Sequence, residues 1–340
     1  MLSASPSGDP GAGGRRVLLY FAWSHPEEAH APLPEIDDRF PALFELRRLF
    51  YPRFEALAQP PVDQGISGFL EHVQKANFAG FAEQVHALTG HPLAQAERVS
   101  REGNGTSLAQ ALAQPGDTPV DTLVIISFDS VRTRQRASEV EIAALKRFLE
   151  CEDHLAIVCL HHDIGEVDAL DPALRAARQL QEHLHHGDAA IPPRQAFGQF
   201  GLSLLAGLGL PVENRYGLRP AAERDGSPTP IDIDRTRDAL SLLHGVNTFN
   251  LHPHLPHLAR LGEGLARLDV LARQWIDPAA PPHPFTEAGH QLFDALLQSN
   301  AAAYPGKVLV CDATLFSATA GGLDSLRQFW SNIVLRPGRG

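Results

Sequence analysis

The sequence predicts an α/β protein with a mostly parallel sheet and helices on both faces of that sheet. Short apolar runs rich in Val, Ile and Leu recur along the chain, and each ends in polar residues, which is typical of strands buried on both faces. Two of these runs flank a stretch with helical spacing, the order that makes neighbouring strands parallel. The 340 residues, 44% of them apolar, suffice for one large domain with a real core.

Two strands and a helix are predicted in the first hundred residues. The run at 17–23 is apolar throughout and is typical of a buried first strand, and 92–99 is a weaker strand. Between them, 78–88 has the three-and-four spacing of a helix, and Gly90 supplies a stop signal.

The clearest unit is a strand, a helix and a second strand in the middle of the chain. The strands are predicted over 121–129 and 155–160, both rich in Ile, Leu and Val. The helix between them begins with Ser138 and Glu141, spaced as in a capping box. We therefore expect the two strands to be parallel neighbours.

The elements after residue 170 are less regular. A closing strand of the parallel type is predicted over 307–312 and a short strand over 245–250, while 268–275 stays open between strand and helix. Helical spacing predicts helices over 171–186, 197–208, 286–297 and 323–334.

The chain is predicted to form a single elaborated α/β domain over 16–336. A disordered leader over 1–15, rich in Gly, Pro and Ser, precedes it. The leader lacks the apolar segment of a secretory signal. A cytoplasmic location is expected, because the cysteine pattern fits a reducing compartment. Irregular insertions are expected at about 26–75 and 171–300.

Composition argues against several classes of protein. The chain has 40 acidic and 29 basic residues and a net charge of −11, which disfavours a nucleic-acid binder. No run approaches the roughly 20 apolar residues of a membrane span. Three cysteines, at 151, 159 and 311, show no CxxC pair, so neither a disulfide framework nor a thiolate zinc site is expected.

Candidate functional residues lie where the predicted strands end. One strand ends in Asp129, and His161, His162 and Asp163 follow the next. The carboxyl ends of parallel strands meet at one edge of a sheet, where α/β folds bind ligands. Histidine acts as a base or a ligand near neutral pH. We expect His161 or His162 to serve as base or ligand and Asp163 or Asp129 to orient it.

A metal site is the sharpest hypothesis from the sequence. His252 and His254 are two residues apart, so in an extended segment they face the same way. With His161 they would form an imidazole-rich site that suits a divalent metal such as zinc or iron. In the alternative, Pro253 and Pro256 hold a turn whose histidines are merely solvated or cap backbone groups.

Two other chemistries have weaker support. Cys159 lies near a strand end, but Val158 and Leu160 stand where a nucleophile elbow needs small residues. Its thiol is therefore expected to pack inside the sheet. Short glycine loops such as Gly103-Asn104-Gly105 complete no nucleotide-binding motif.

The middle of the chain resembles the class I glutamine-amidotransferase-like superfamily, nearest to its trehalose-utilisation (ThuA-like) branch. The shared features are an Asp-led apolar strand at 121–129, a Ser- and Glu-rich helix start at 138–141 and a strand that ends in His at 155–163. The closing strand at 306–312 and the F-x-x-N-I-V pattern at 329–334 are similar to the way those domains end.

This resemblance implies a flavodoxin-like fold. In the ThuA-like branch it also implies a histidine in a position similar to His161 or His162, with sugar- or metal-linked roles. An active amidotransferase would carry G-x-C-x-G where His161 and His162 stand, so glutamine hydrolysis is not expected.

The predicted function is chemistry at a His/Asp-lined site, with or without a metal, on a small polar substrate such as a carbohydrate or an amide. The alternative is a non-catalytic amidotransferase-like domain that binds a ligand or a protein partner. Neither a nucleic acid nor a membrane is expected as a partner.

Overall fold

The fold is seen in a computed structural model that describes most of the chain. The predicted leader lies outside the described residues except for Arg15, and the insertion predicted at 26–75 is described only near its two ends. The described residues are 15–30, 66–113, 119–161, 170–186, 197–318 and 320–338.

The centre of the molecule is a mostly parallel sheet. In chain order, the strands in the described residues are β1 (Val17–Ser24), β2 (Ala94–Val99), β3 (Thr122–Ile126), β4 (Leu155–Leu160), β5 (Val212–Glu213), β6 (Gly217–Leu218), β7 (Asp232–Ile233), β8 (Leu255–Pro256), β9 (Ala259–Arg260), β10 (Leu268–Trp275), β11 (Leu292–Ser299) and β12 (Lys307–Asp312).

Eight of these strands form one sheet in the order β2-β1-β3-β4-β12-β11-β10-β7. The first five run parallel to one another, and β11, β10 and β7 each pair antiparallel with their neighbours. The carboxyl ends of the five parallel strands therefore meet at one edge of the sheet, as the sequence predicts for its strong strands.

Helices cover both faces of this sheet. In chain order, those in the described residues are α1 (His25–Ala29), α2 (Ile66–Phe69), α3 (Ala79–Thr89), α4 (Leu108–Ala113), α5 (Glu139–Phe148), α6 (Pro172–His186), α7 (Gln199–Gly207), α8 (Gly264–Arg267), α9 (Pro284–Glu287) and α10 (Leu323–Leu335). One apolar core joins the sheet to α3 and α10, and a second joins its other face to α4, α5 and α7. The α/β class predicted from the sequence is confirmed.

Helix α5 shows how closely the local sequence sets an element. Ser138 Oγ accepts a hydrogen bond from the Glu141 backbone N–H, and the Glu141 carboxylate accepts one from the Ser138 backbone N–H. This capping box satisfies donors that the first turn leaves open. Ile142, Leu145 and Phe148 then form the buried stripe against the sheet, as their spacing predicts.

The helix predicted over 286–297 is wrong. The structure has the short helix α9 followed by strand β11, which lies between β12 and β10. The neighbouring side chains Leu296 and Leu297 are both buried, one in each apolar core. A strand buried on both faces shows no alternation of apolar and polar residues, so its period cannot be read from sequence. The open segment 268–275 is strand β10, and 245–250 forms no strand.

No helix within the described ranges combines the length and the apolar character needed to cross a membrane.

Candidate functional site

A histidine and an aspartate meet at the carboxyl edge of the sheet. His161 follows β4 directly, and Asp312 ends the neighbouring parallel strand β12, opposite Leu160. Nδ1 of His161 lies 3.2 Å from Oδ2 of Asp312. The two residues are only 6% and 3% exposed, so the parallel pairing of β4 and β12 places this pair in a largely dry position.

Asp312 is held in its ionised form by its neighbours. Burial opposes ionisation, but the hydrogen bond and charge of His161, with the Thr314 hydroxyl, outweigh it, so the pKa of Asp312 is lowered. Thr314 donates to the other carboxylate oxygen through its backbone N–H, at 2.7 Å, and through its hydroxyl. An ionised carboxylate only accepts hydrogen bonds, so His161 donates from Nδ1 and a neutral ring keeps its lone pair on Nε2.

Two more histidines face this pair. The ring centroid of His161 lies 5.6 Å from that of His252 and 6.2 Å from that of His254, and the last two rings are 4.3 Å apart. Burial, helped by the nearby charge of His161, lowers the pKa of His252 to about 4. His252 is therefore a neutral imidazole at pH 7.

Asn250 ties the His252 loop to the aspartate. Its side-chain oxygen accepts from the His252 backbone N–H at 3.0 Å, and its amide donates to Thr314 Oγ1 at 2.9 Å. Asn250 is fully buried. A continuous hydrogen-bonded chain thus runs from the loop through Thr314 to Asp312 and His161, and it fixes the loop without a strand at 245–250.

A small cavity opens onto this group of residues. Its volume is about 80 Å³, and the Phe128 ring stacks at a tilt on His161 with centroids 4.7 Å apart. The cavity is lined by Gln74, Asn77, Phe78, Phe128, His161, His252, Ala313, Thr314 and Ser317. It therefore offers imidazole, hydroxyl and amide groups beside an aromatic wall, which is the make-up of a small polar-ligand site.

Asp129, one of the two candidates for orienting the histidine, serves another part of the fold. Its carboxylate accepts from Ser127 Oγ at 2.6 Å and from the Phe200 backbone N–H at 2.9 Å. Burial raises its pKa to about 7, against these hydrogen bonds and with help from Glu28. The carboxylate therefore lies against the start of α7, and the residue bonded to His161 is Asp312 instead.

The other predicted residues divide into those that the structure brings together and those it does not describe. His161 and His252 line the cavity and His254 lies beside them, whereas His162 and Asp163 lie outside the described residues. Cys159 is fully buried with its sulfur 3.9 Å from that of Cys311. Burial raises the pKa of the Cys159 thiol far above its usual value, in keeping with the expected packing role.

Sequence reasoning missed Asp312 as the orienting carboxylate. The available signal was its place at the end of the strand predicted over 307–312, at the same edge as His161. Asp163 and Asp129 are close to His161 along the chain or on the neighbouring predicted strand, and a sequence does not give the order of the strands across the sheet.

The three histidines do not by themselves present converging ligand atoms. In the part of the chain that the structure describes, one group offers ligand atoms that all lie within 4.8 Å of one another, and it consists of His25, Glu71 and Glu97. A metal held by His161, His252 and His254 would require their rings to turn so that their ligand nitrogens come closer together.

Comparison with known proteins adds little. No protein-family model matches the chain, and no curated protein matches it. Among solved structures it is similar to the exo-beta-1,4-mannosidase Op5Man5 from Opitutaceae bacterium strain TAV5, with 12% sequence identity and a TM-score of 0.33. The match covers 95% of this chain and 36% of the mannosidase chain, so the chain spans little more than a third of that protein. A likeness at this TM-score carries no argument about fold or activity.

Proposed function

We propose that this protein is an enzyme that performs general acid–base chemistry on a small polar molecule, with His161 as the base. The observation that carries the proposal is the buried His161–Asp312 pair opening onto a polar cavity. An imidazole whose Nδ1–H is held by a carboxylate, with Nε2 as the nitrogen that exchanges the proton, is the arrangement that general bases use.

The roles of the residues follow from their contacts. Asp312 holds the Nδ1–H of His161, so Nε2 takes a proton from water or from a substrate hydroxyl and later returns it. The carboxylate stabilises the imidazolium that forms in between. His252 is neutral at pH 7 and contributes a hydrogen-bonding group without adding a competing positive charge.

The cavity limits the substrate class. A volume of about 80 Å³ holds a few water molecules, at roughly 30 Å³ each, or one small polar group. The polar groups that line it include the side-chain amides of Gln74 and Asn77 and the Thr314 hydroxyl, which is also bonded to Asp312 and Asn250. These suit hydroxyl and amide groups, in line with a carbohydrate or amide substrate of which one end enters the cavity.

A metal-assisted version of this chemistry is the second candidate. Metal-ligating histidines are commonly held by a carboxylate that accepts a hydrogen bond from the ring nitrogen not bound to the metal. His161, His252 and His254 would then hold zinc or iron after their rings turn, and the metal would supply a Lewis acid or an activated water.

We also propose that the fold of the protein is flavodoxin-like. Its support is the order of the five parallel strands, β2-β1-β3-β4-β12, which is the 2-1-3-4-5 order of that fold when only these strands are counted. The narrower assignment to the glutamine-amidotransferase-like superfamily rests on the sequence features at 121–163. In that assignment a non-catalytic domain that binds a ligand or a partner is the alternative to an enzyme.

The test is a substrate panel run together with elemental analysis. Wild-type protein is assayed on chromogenic esters, amides and glycosides, beside His161→Gln, Asp312→Asn and, as a surface control, His86→Gln. We expect one substrate class to be turned over, a loss of at least about 100-fold in His161→Gln, and no change in the control.

Metal content separates the two versions of the chemistry. About one zinc or iron per chain that disappears in a His252→Ala/His254→Ala variant would support the metal-assisted version. Turnover with no bound metal would support the metal-free base. Turnover that survives His161→Gln would rule out His161 as the base, and no turnover on any class of substrate would favour the binding domain instead.

A further inference from the structure

A second cluster of polar side chains lies at the same edge of the sheet, on β1 and β2. His25 begins α1 directly after β1, Glu97 lies on β2 opposite Phe21, and Glu71 lies on a π-helix over 70–74. Single-turn π-helices are rare and occur often at functional sites. None of these residues takes part in the chemistry proposed for His161.

The three side chains present ligand atoms to one another. One nitrogen of His25 and one oxygen each of Glu71 and Glu97 all lie within 4.8 Å of each other. Trp23 donates its indole N–H to one oxygen of Glu97 at 2.9 Å. This bond orients the Glu97 carboxylate, as hydrogen bonds from outside a metal site commonly do.

The buried nitrogen of His25 points to a ligand. His25 is 1% exposed, and its Nε2 is bonded to Ser67 Oγ at 3.0 Å. Its Nδ1 is buried and makes no hydrogen bond with any residue that the structure describes, although Glu71 Oε1 is only 3.3 Å away. Buried polar atoms normally have a partner, and a cation between the nitrogen and the carboxylate would serve both.

Lys75 holds the position of a cation between the two carboxylates. Its ammonium is 2.6 Å from Glu71 Oε1 and also contacts Glu97. With a neutral His25, the groups in direct contact carry two negative charges and one positive charge, so one negative charge remains. The Lys75 side chain is 21% exposed and flexible, and it can turn out to solvent when another cation enters.

We propose that His25, Glu71 and Glu97 bind a divalent metal ion of the Mn²⁺ class, with the Lys75 ammonium as the competing cation. Two carboxylates and one imidazole suit Mn²⁺, whereas an imidazole-only group such as His161, His252 and His254 favours softer ions. Mn²⁺ therefore reports on this cluster in preference to the histidine site.

The experiment is a titration of the full-length protein with Mn²⁺, in which electron paramagnetic resonance measures the free ion. Wild type is expected to bind one ion per chain. Glu97→Gln, which keeps an acceptor for Trp23, should bind at least about tenfold more weakly. Lys75→Met should bind about tenfold more tightly, because a competing positive charge is gone. The matched control Lys146→Met, on the exposed face of α5, should match wild type.

The proposal is overturned if wild type binds no stoichiometric Mn²⁺, if Glu97→Gln binds as wild type does, or if Lys75→Met gains no affinity over Lys146→Met. Circular dichroism shows which variants fold, and if Glu97→Gln does not, the comparison of the two lysine variants decides. Binding that persists in His252→Ala/His254→Ala separates this site from the one at His161, so either proposal can fail alone.

Discussion

Nδ1 of His161 and Oδ2 of Asp312 lie 3.2 Å apart although the two residues are 151 positions apart in the chain. The contact exists because β4 and β12 are parallel neighbours in register, which brings both strand ends to the same point of the sheet edge. The core of the sheet and the candidate site therefore depend on the same pairing, and changes at Asp312 are expected to affect both stability and chemistry.

Asp312→Asn should lower the free energy of unfolding at pH 7 by about 2 kcal/mol, because a charge-assisted hydrogen bond to His161 is lost. The pKa of Asp312 is lowered in the folded state, so its ionised form stabilises the fold above the unfolded value of about 4. That contribution disappears as the pH falls through the folded value. In urea unfolding, the difference in the free energy of unfolding between wild type and variant should narrow below about pH 4. A difference that does not depend on pH would contradict this prediction.

The neutral ring of His252 should make the fold sensitive to mild acid. Burial lowers its pKa from 6.5 to about 4, so the unfolded chain takes up a proton first and stability is lost as the pH falls through this interval. Over that range the free energy of unfolding should fall by about 2 kcal/mol more in wild type than in His252→Gln. This is less than the full pKa shift would give, because the ring is partly exposed. Unfolding curves at several pH values measure this, and parallel loss in both proteins would rule it out.

Asp129→Asn should stabilise the protein in neutral and alkaline solution. Burial raises the pKa of Asp129 from 3.8 to about 7. The stabilisation that its protonated form contributes is therefore fully present below pH 3.8 and is lost as the pH rises through about 7. The asparagine keeps an acceptor for the Phe200 N–H and carries no charge. We expect a gain on the order of 2 kcal/mol near pH 8 that shrinks toward about pH 4. Thermal unfolding at both pH values checks the sign.

Two glycines in helices should respond to alanine in opposite directions. At Gly201 in α7, a Cβ would lie 2.7 Å from Leu160 Cδ2 and 3.0 Å from Ser127 Oγ, so Gly201→Ala should cost about 1–3 kcal/mol through overpacking. At Gly80 in α3 the nearest atom is Ala318 Cβ at 3.8 Å. Gly80→Ala should be neutral or stabilise by about 0.5 kcal/mol. Equal effects in chemical denaturation would contradict the close approach of α7 to the sheet.

The sequence could predict the parallel core because its strands are continuous apolar runs separated by a capped helix. It also predicted that His161 and His252 belong to one edge, because each follows a predicted strand, although the strand predicted at 245–250 does not form. It could not identify Asp312 as their partner, because that requires knowing that β12 pairs with β4. It could not recognise β11, whose two buried faces hide the strand period. Asp129 showed the right chemistry at a strand end, but its carboxylate lies against α7.

The antiparallel strands beyond β12 have a consequence for motion. Because β11 pairs with β12 on the side opposite β4, the strand that ends in Asp312 has ladders on both sides. The backbone amide hydrogens of such strands exchange with solvent only when a large part of the fold unfolds, whereas those of loops exchange through local unfolding at little cost in free energy. The His252 loop has no strand ladder of its own and is held instead through Asn250 and Thr314. The aspartate that orients the base therefore stands on the part of the sheet that opens least, which keeps the geometry of the pair fixed.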